Sequence, residues 1–398
     1  MTAPRSSPPG LWHNPTGQSK SGQISERLLI WSWSTDQRLC PGSLMADALG
    51  RFTEAEILAQ PRVWAEVMHL AERTVAPLRD LWRSRPPAQL LLTGCGSSYY
   101  LALAGAYLLQ AQLRVPCRAL PSSEIAFAPD EATLGIPSLL LVALSRSGET
   151  TETVWAVERL RERGATTVAL TCSGAGPLLQ ASHLAISLPV EERSVVMTGS
   201  FTSMLLTLAA LAASLAGDEP AALPLRRAPE LAAGEMARLA AHARQVAAAP
   251  SSGFVYLGTG PTFGLAAEGA LKMTEMSLVP GSAYHTLEFL HGPRAAVSGE
   301  TVVIGLLSAH GTAFQRRVLR EVAALGARVV AVGEEVAGLT SLPLPAPPGS
   351  VAAMLLCAVW LQWLALHVAR ARGVDADAPR FLQPVVTWSE DLREGGEG

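Results

Sequence analysis

The 398-residue chain is 49% hydrophobic and only 16% charged, with a formal net charge of -3. That balance predicts a compact, well-buried protein of about two domains. It excludes a dominant disordered region and leaves no electrostatic footprint for nucleic acid. The five cysteines (Cys40, Cys95, Cys117, Cys172 and Cys357) show no CxxC spacing. They argue against a disulfide framework or a zinc knuckle and fit a reducing cytoplasm, and Cys95 reads as a small packing residue.

In chain order, residues 1–44 hold Pro, Ser and Gly without apolar periodicity, and lack the cationic start and apolar run of a signal peptide. They read as a disordered tail, or as an extension ahead of a true start at Met45. Three segments then recur at nearly one offset. "GCGSSYYLALAGA" (94–106) aligns with "GTGPTFGLAAEGA" (258–270). "SLLLVALSRSG" (138–148) aligns with "TVVIGLLSAHG" (301–311), and "ERGATTVALTC" (162–172) with "ALGARVVAVGE" (324–334). Such a series predicts a duplicated domain. Each copy reads as apolar strand, Gly turn, helix, second strand, amphipathic helix and third strand. Continuous Val/Leu runs between helices predict a parallel sheet covered on both faces, an α/β fold of three layers. The first domain is expected over 45–217, a linker helix over 218–250, the second domain over 251–371 and a tail over 372–398. The apolar stretches 201–216 and 351–366 fall short of the roughly 20 residues that span a bilayer, so they read as buried core helices and no membrane is expected.

Ligands of such sheets bind beyond the carboxyl ends of the strands. "TGCGSSYY" has Tyr99 where a dinucleotide fingerprint needs glycine, so no nucleotide cofactor is expected. The loop 145–153 gathers Ser145, Ser147, Thr150, Thr151 and Thr153 around Gly148 at a strand-to-helix turn. One such hydroxyl would be an ordinary helix cap. Five, with Ser97 and Ser98 on the neighbouring strand end, point to a phosphate cradle.

"GCGSS", "SRSGETTET", "ERSVVMTGSFTSML", "EGALKMTEMS" and "LHGPR" together resemble the tandem sugar-isomerase (SIS) domain family, over residues 52–388. The family includes the isomerase half of glucosamine-6-phosphate synthase. "MTGSFTSM" and "AYHTLEFLHGP" look closer to the tagatose-6-phosphate isomerase/galactosamine-6-phosphate deaminase group. The resemblance implies two tandem SIS domains of flavodoxin-like αβα form. Gly96, Ser97, Ser98, Ser145, Arg146, Ser147 and Thr150 would hold the sugar phosphate. It further implies Glu275 as the base between C1 and C2, Lys272 near the open-chain oxygens, and His291 opening the ring from a neighbouring subunit of a homodimer. No glutaminase segment is read in the sequence, and Pro384 stands where the synthase tail has a lysine. The expected activity is therefore conversion of galactosamine 6-phosphate to tagatose 6-phosphate and ammonia. The alternatives are glucosamine-6-phosphate deamination, fructosamine-6-phosphate deglycation, or a non-catalytic sugar-phosphate regulator.

The residues themselves support a site near Lys272. Lys20 and Lys272 are the only lysines in an arginine-rich chain. Glu268, Lys272 and Glu275 are spaced i, i+4, i+7 on one helical stripe, where a surface ladder would be served equally well by arginine. Aldose–ketose interconversion asks for a carboxylate base, a ring-opening proton carrier and a cation beside the enediolate. Glu275, His291 and Lys272 are those types. His285, Glu288 and His291 recur every third residue but would spread around a helix, so no metal is expected.

Overall fold

The computed structural model describes residues 49–134 and 136–389. The expected tail, residues 1–44, lies outside them, as does the end of the C-terminal tail. The strands are β1 (Gln89–Gly94), β2 (Cys117–Pro121), β3 (Leu139–Ser145), β4 (Thr166–Thr171) and β5 (Leu184–Ser187). They continue as β6 (Gly253–Gly258), β7 (Gly281–His285), β8 (Thr301–Leu306), β9 (Arg328–Gly333) and β10 (Thr340–Pro343). The longer helices are α1 (Arg51–Ser84), α2 (Ser97–Leu113), α3 (Thr151–Glu162), α4 (Gly199–Ala216) and α5 (Glu219–Arg226). After these come α6 (Ala228–Ala247), α7 (Pro261–Ser277), α8 (Thr312–Ala324) and α9 (Val351–Ala371).

Two five-stranded parallel sheets result, ordered β2-β1-β3-β4-β5 and β10-β9-β8-β6-β7. Both follow the same path, in which the chain starts in the second position of its sheet, adds an edge strand and then crosses to the other side. β1, β3, β4, β6, β8 and β9 are the apolar runs visible in the sequence. β2 and β5 are only partly buried and carry no comparable run.

One face of each sheet joins a common core. Leu92, Val142 and Leu170 of the first sheet and Ile304, Val330 and Val332 of the second share it with α1, α2, α4, α6, α7 and α9. The outer faces carry separate clusters, with Val157 and Leu160 of α3 on the first sheet and Val318 and Val322 of α8 on the second. Residues 218–250, read as a linker, form α5 and α6, and α6 buries Ala232, Met236, Leu239 and Ala243 in the common core.

The helices α4 and α9 are long and apolar enough to cross a membrane, and α9 with 21 residues exceeds the length expected from the sequence. Their apolar windows are 83% and 94% buried inside the protein, which identifies them as core helices. A buried polar chain ties them together. Trp64 Nε1 donates to Thr202 Oγ1 (3.0 Å), Thr202 donates to Gln60 Oε1 (2.7 Å), Gln60 Nε2 to Gln362 Oε1 (2.6 Å), and Gln362 Nε2 to the Thr198 carbonyl (3.0 Å). Each group is satisfied, which lets these polar side chains lie in the core without the penalty of an unpaired group.

The sheets meet through α2 and α7. At their crossing a Cβ on Gly264 would lie 2.6 Å from the Ala104 nitrogen and 2.6 Å from the Tyr100 carbonyl oxygen, so only glycine admits this approach. The segment after α9 returns to the start of the fold. Asp377 accepts from Phe52 N (3.0 Å), Thr53 N (2.7 Å) and Thr53 Oγ1 (2.8 Å), and Asp375 accepts from Gly50 N (2.9 Å). These carboxylates supply the cap that α1 lacks from its own N-terminal residue. Asp377→Ala is expected to lower the unfolding free energy by about 2 kcal/mol. Urea denaturation reads this, and unchanged stability would show that the returning segment does not hold α1.

Candidate active site

The loops after β1 and β3 open on the same cavity of about 200 Å³. Gly96, Ser97 and Ser98 enter from the first loop and Ser145, Arg146, Ser147 and Thr150 from the second. Gly148 makes the turn with φ 70°, and a Cβ there would press on Thr171 Oγ1 at 3.2 Å. Ser145 Oγ accepts from Gly148 N (3.1 Å) and Ser147 Oγ from Glu149 N (3.2 Å), so both hydroxyls shape the turn that presents them. Thr150 precedes α3 without capping it by its side chain. The positive end of α3 therefore opens beside three hydroxyls, a setting suited to an anion.

The other two hydroxyls of this loop are committed elsewhere. Thr153 is buried and bonds with Ser122 Oγ (3.0 Å), while Thr151 Oγ1 accepts from Trp388 N (2.9 Å). Cys95 lines the cavity, a correction to its expected packing role. Burial raises the pKa of its thiol, which disfavours a nucleophilic thiolate.

Opposite the loop after β3 stands α7. Its crossing with α2 brings Glu268 to the first turn of α2, where Ser97 Oγ donates to Glu268 Oε1 (3.1 Å). Lys272 is 1% exposed, lies 3.6 Å from Glu268 Oε1 and donates a hydrogen bond to Glu275 Oε2. Lys272 and Glu275 both line the cavity. Burial works against the Lys272 charge, but the carboxylates of Glu268 and Glu275 outweigh it and hold the ammonium above its ordinary range. Burial pushes the Glu268 carboxyl up to about 7, with Lys272 opposing and Glu275 adding to the rise. An ammonium without partners at this depth would be strongly destabilising, so the stripe seen in the sequence is a buried charge cluster and not a surface ladder.

Arg146 is held by two groups. Its guanidinium donates to Glu192 Oε2 (3.3 Å) and to the Pro384 carbonyl (3.2 Å). Glu192 also accepts from Thr198 N, Thr198 Oγ1, Ser200 N and Ser200 Oγ at 2.7–3.0 Å, which binds it to the first turn of α4. The segment Leu382–Val386 then forms one wall of the cavity. Trp388 pins that segment through Thr151 and through its indole N–H to Glu152 Oε1 (3.0 Å).

His291 does not reach this cavity and lies exposed on the short helix Glu288–His291. His285 stacks on Phe263 at 3.8 Å, and among the described residues no group of three His, Cys, Asp or Glu side chains could hold a metal ion. Glu192, Glu268 and the Leu382–Val386 wall were given no site role from the sequence, although Glu192 opens the motif "ERSVVMTGSFTSML", Glu268 belongs to the stripe with Lys272 and Glu275, and Pro384 stood out in the tail.

The corresponding loop of the second sheet is filled from within. Gln315 Oε1 accepts from Ser308 N (3.1 Å), and its Nε2 donates to Ser308 Oγ (3.1 Å) and the His310 carbonyl (2.6 Å). Ser308 is fully buried. A side-chain amide thus takes the polar groups that a bound anion would need.

The SIS domain family model matches residues 85–216. The glutamine–fructose-6-phosphate aminotransferase [isomerizing] of Rhizobium meliloti is 29% identical over 361 residues, which cover 84% of this chain and 59% of that one. The chain thus spans less than two thirds of the length of that curated relative. The solved glucosamine-6-phosphate deaminase of Thermotoga maritima is 31% identical with a TM-score of 0.67, over 84% of this chain and 99% of that one. The tagatose-6-phosphate ketose/aldose isomerase of Escherichia coli is 26% identical with a TM-score of 0.76, over 84% and 95% of the two chains. The glucosamine-6-phosphate deaminase of that 31% identity, matched almost end to end, and the family match over residues 85–216 make this protein a member of the SIS domain family of phosphosugar isomerases.

Proposed function

We propose that the chain is a hexosamine-6-phosphate deaminase/isomerase, converting the aminosugar phosphate to a ketose 6-phosphate with release of ammonia. The observation that carries this reading is one cavity shared by an anion-type loop and the Lys272–Glu275 pair. The deaminase and isomerase relatives support it. The same strand order in both sheets supports reading the second half as a second, specialised copy of the domain.

The sugar phosphate binds at Ser145, Ser147 and Thr150, with Ser97 and Ser98 completing the cradle. Once the ring is open, Glu275 takes the proton from C2 and returns it to C1. The C2 amine becomes an imine, water adds at C2, and ammonia leaves as the carbonyl forms. Lys272 stabilises the negative charge that develops on the C1 oxygen. His291, exposed in its own chain, opens the ring in a neighbouring copy of a homodimer.

Hydrolysis is preferred over amine transfer because the wall Leu382–Val386 offers the cavity no amine, and Lys272 is the one lysine among the described residues. The galactosamine epimer follows from the motif resemblance, whereas the Thermotoga maritima relative favours the glucosamine epimer.

Glu275→Gln keeps the side-chain size and loses the base, so kcat is expected to fall by about 10²–10⁴-fold while sugar-phosphate affinity stays within a few fold. Activity within threefold of wild type would remove Glu275 from the chemistry. Ser147→Ala is expected to weaken phosphorylated ligands by about 1.5–3 kcal/mol and leave unphosphorylated hexosamines unaffected. Equal losses for both classes in calorimetry would reduce Ser147 to a turn residue. Purified protein with galactosamine or glucosamine 6-phosphate is expected to release ammonia without glutamine. Interconversion of plain hexose phosphates with no ammonia from either epimer would leave a simple isomerase.

A further inference from the structure

Two carboxylates and one ammonium share the buried stripe of α7, one negative group more than the ammonium can match. Glu268 is the deeper of the two carboxylates, with a side chain 3% exposed against 16% for Glu275. Its two oxygens are in different situations. Oε1 accepts from Ser97 Oγ at 3.1 Å and lies 3.6 Å from Lys272 Nζ. Oε2 is buried with no hydrogen-bond partner. An ionised carboxylate with one bare oxygen in the interior carries a large desolvation cost, whereas a neutral carboxyl with its proton on that oxygen carries far less.

We infer that Glu268 is a positioning residue that stores a proton beneath the cavity, and that its charge state sets how far the Lys272 ammonium is drawn from the reacting oxygens. Glu268 touches no substrate; it acts through Ser97 and Lys272, both of which line the cavity. With the proton on Glu268, the ammonium is shared between Glu275 and the substrate. With the proton lost, a second buried carboxylate pulls Lys272 back and opposes the anionic intermediate. The charged and titratable groups around it are few. Lys272 and Glu275 lie on its own helix, Tyr100 faces it from α2, and Arg146 acts on Lys272 from the loop after β3. On its other side α7 packs against α9, where Leu361 comes up against the neighbouring Gly269. The direction of the Glu268 shift, upward to about 7 through burial, agrees with the geometry.

The stability consequence has a definite sign. A carboxyl whose folded pKa lies above its unfolded value of 4.5 stabilises the fold fully below pH 4.5, and that contribution is lost as pH rises through about 7. Glu268→Gln keeps the shape and the hydrogen bond to Ser97 without titrating. Its melting temperature relative to wild type is expected to gain about 3 °C between pH 5 and pH 7.5. A difference that stays constant with pH overturns the stored proton, whatever the activity.

The catalytic half rests on the isomerase reading above. In wild type, kcat/KM for a hexosamine 6-phosphate should decline through an alkaline limb near pH 7. In the variant that limb should move up by at least one unit, with kcat at pH 6 retained within about threefold. A limb that stays in place while the melting difference widens overturns the positioning role. Wild-type protein inactive on every hexose and hexosamine phosphate overturns the functional reading instead, and the melting series still decides the stored proton. Should the variant not fold, the infrared carboxylic C=O band of a buried acid in wild type is expected to disappear between pH 6 and pH 8. Its absence at pH 6 overturns the inference.

Discussion

The crossing of α2 and α7 through Gly264 is the contact on which the site depends. The helices belong to different sheets, and each begins in the Gly turn after the first strand of its own sheet. Only a residue without Cβ lets the α7 backbone come down onto Tyr100 and Ala104. One turn further along α7 is Glu268, and at the start of α2 is Ser97, so the approach at Gly264 places them within hydrogen-bond distance. Lys272 and Glu275, on the same face of α7, are carried toward the loops of the first sheet. The anion-type loop and the charged helix come from opposite halves of the chain, and neither half builds the cavity alone.

The two halves have the same path but different electrostatics. In the first, the turn after β3 uses small hydroxyls bonded to backbone N–H groups, leaving space beside the start of α3. In the second, Gln315 of α8 reaches back into the equivalent turn and satisfies Ser308 and His310. A long amide side chain one turn into the helix is enough to fill the turn that stays open in the first half. The second half contributes its charged helix instead.

Long-range polar contacts then set the edges of the cavity. Glu192 gathers the first turn of α4 and the Arg146 guanidinium onto one carboxylate, and Arg146 reaches the carbonyl of Pro384. The same returning segment caps α1 through Asp375 and Asp377. Closure of the cavity and capping of α1 are therefore coupled through a stretch of chain with no regular secondary structure. Such a segment is ordered by what it touches, because it has no repeating backbone bonds of its own.

The α/β pattern of both halves was legible in the sequence on its own, because a buried parallel strand needs a continuous apolar run and the Gly turns recur at a nearly constant offset. It also exposed the hydroxyl-rich loop and the Glu268–Lys272–Glu275 stripe, since helical spacing is local information. The edge strands β2 and β5 escaped notice because half-buried strands need no continuous apolar run. Whether Thr151 and Thr153 face the cavity, whether Arg146 is free, and where His291 lies were decided by tertiary contacts alone. The same holds for the depth of Glu268, which follows from a helix crossing between residues far apart in the chain. Local periodicity states which side chains share a face; only the packing of that face against a distant helix decides which carboxylate loses its water.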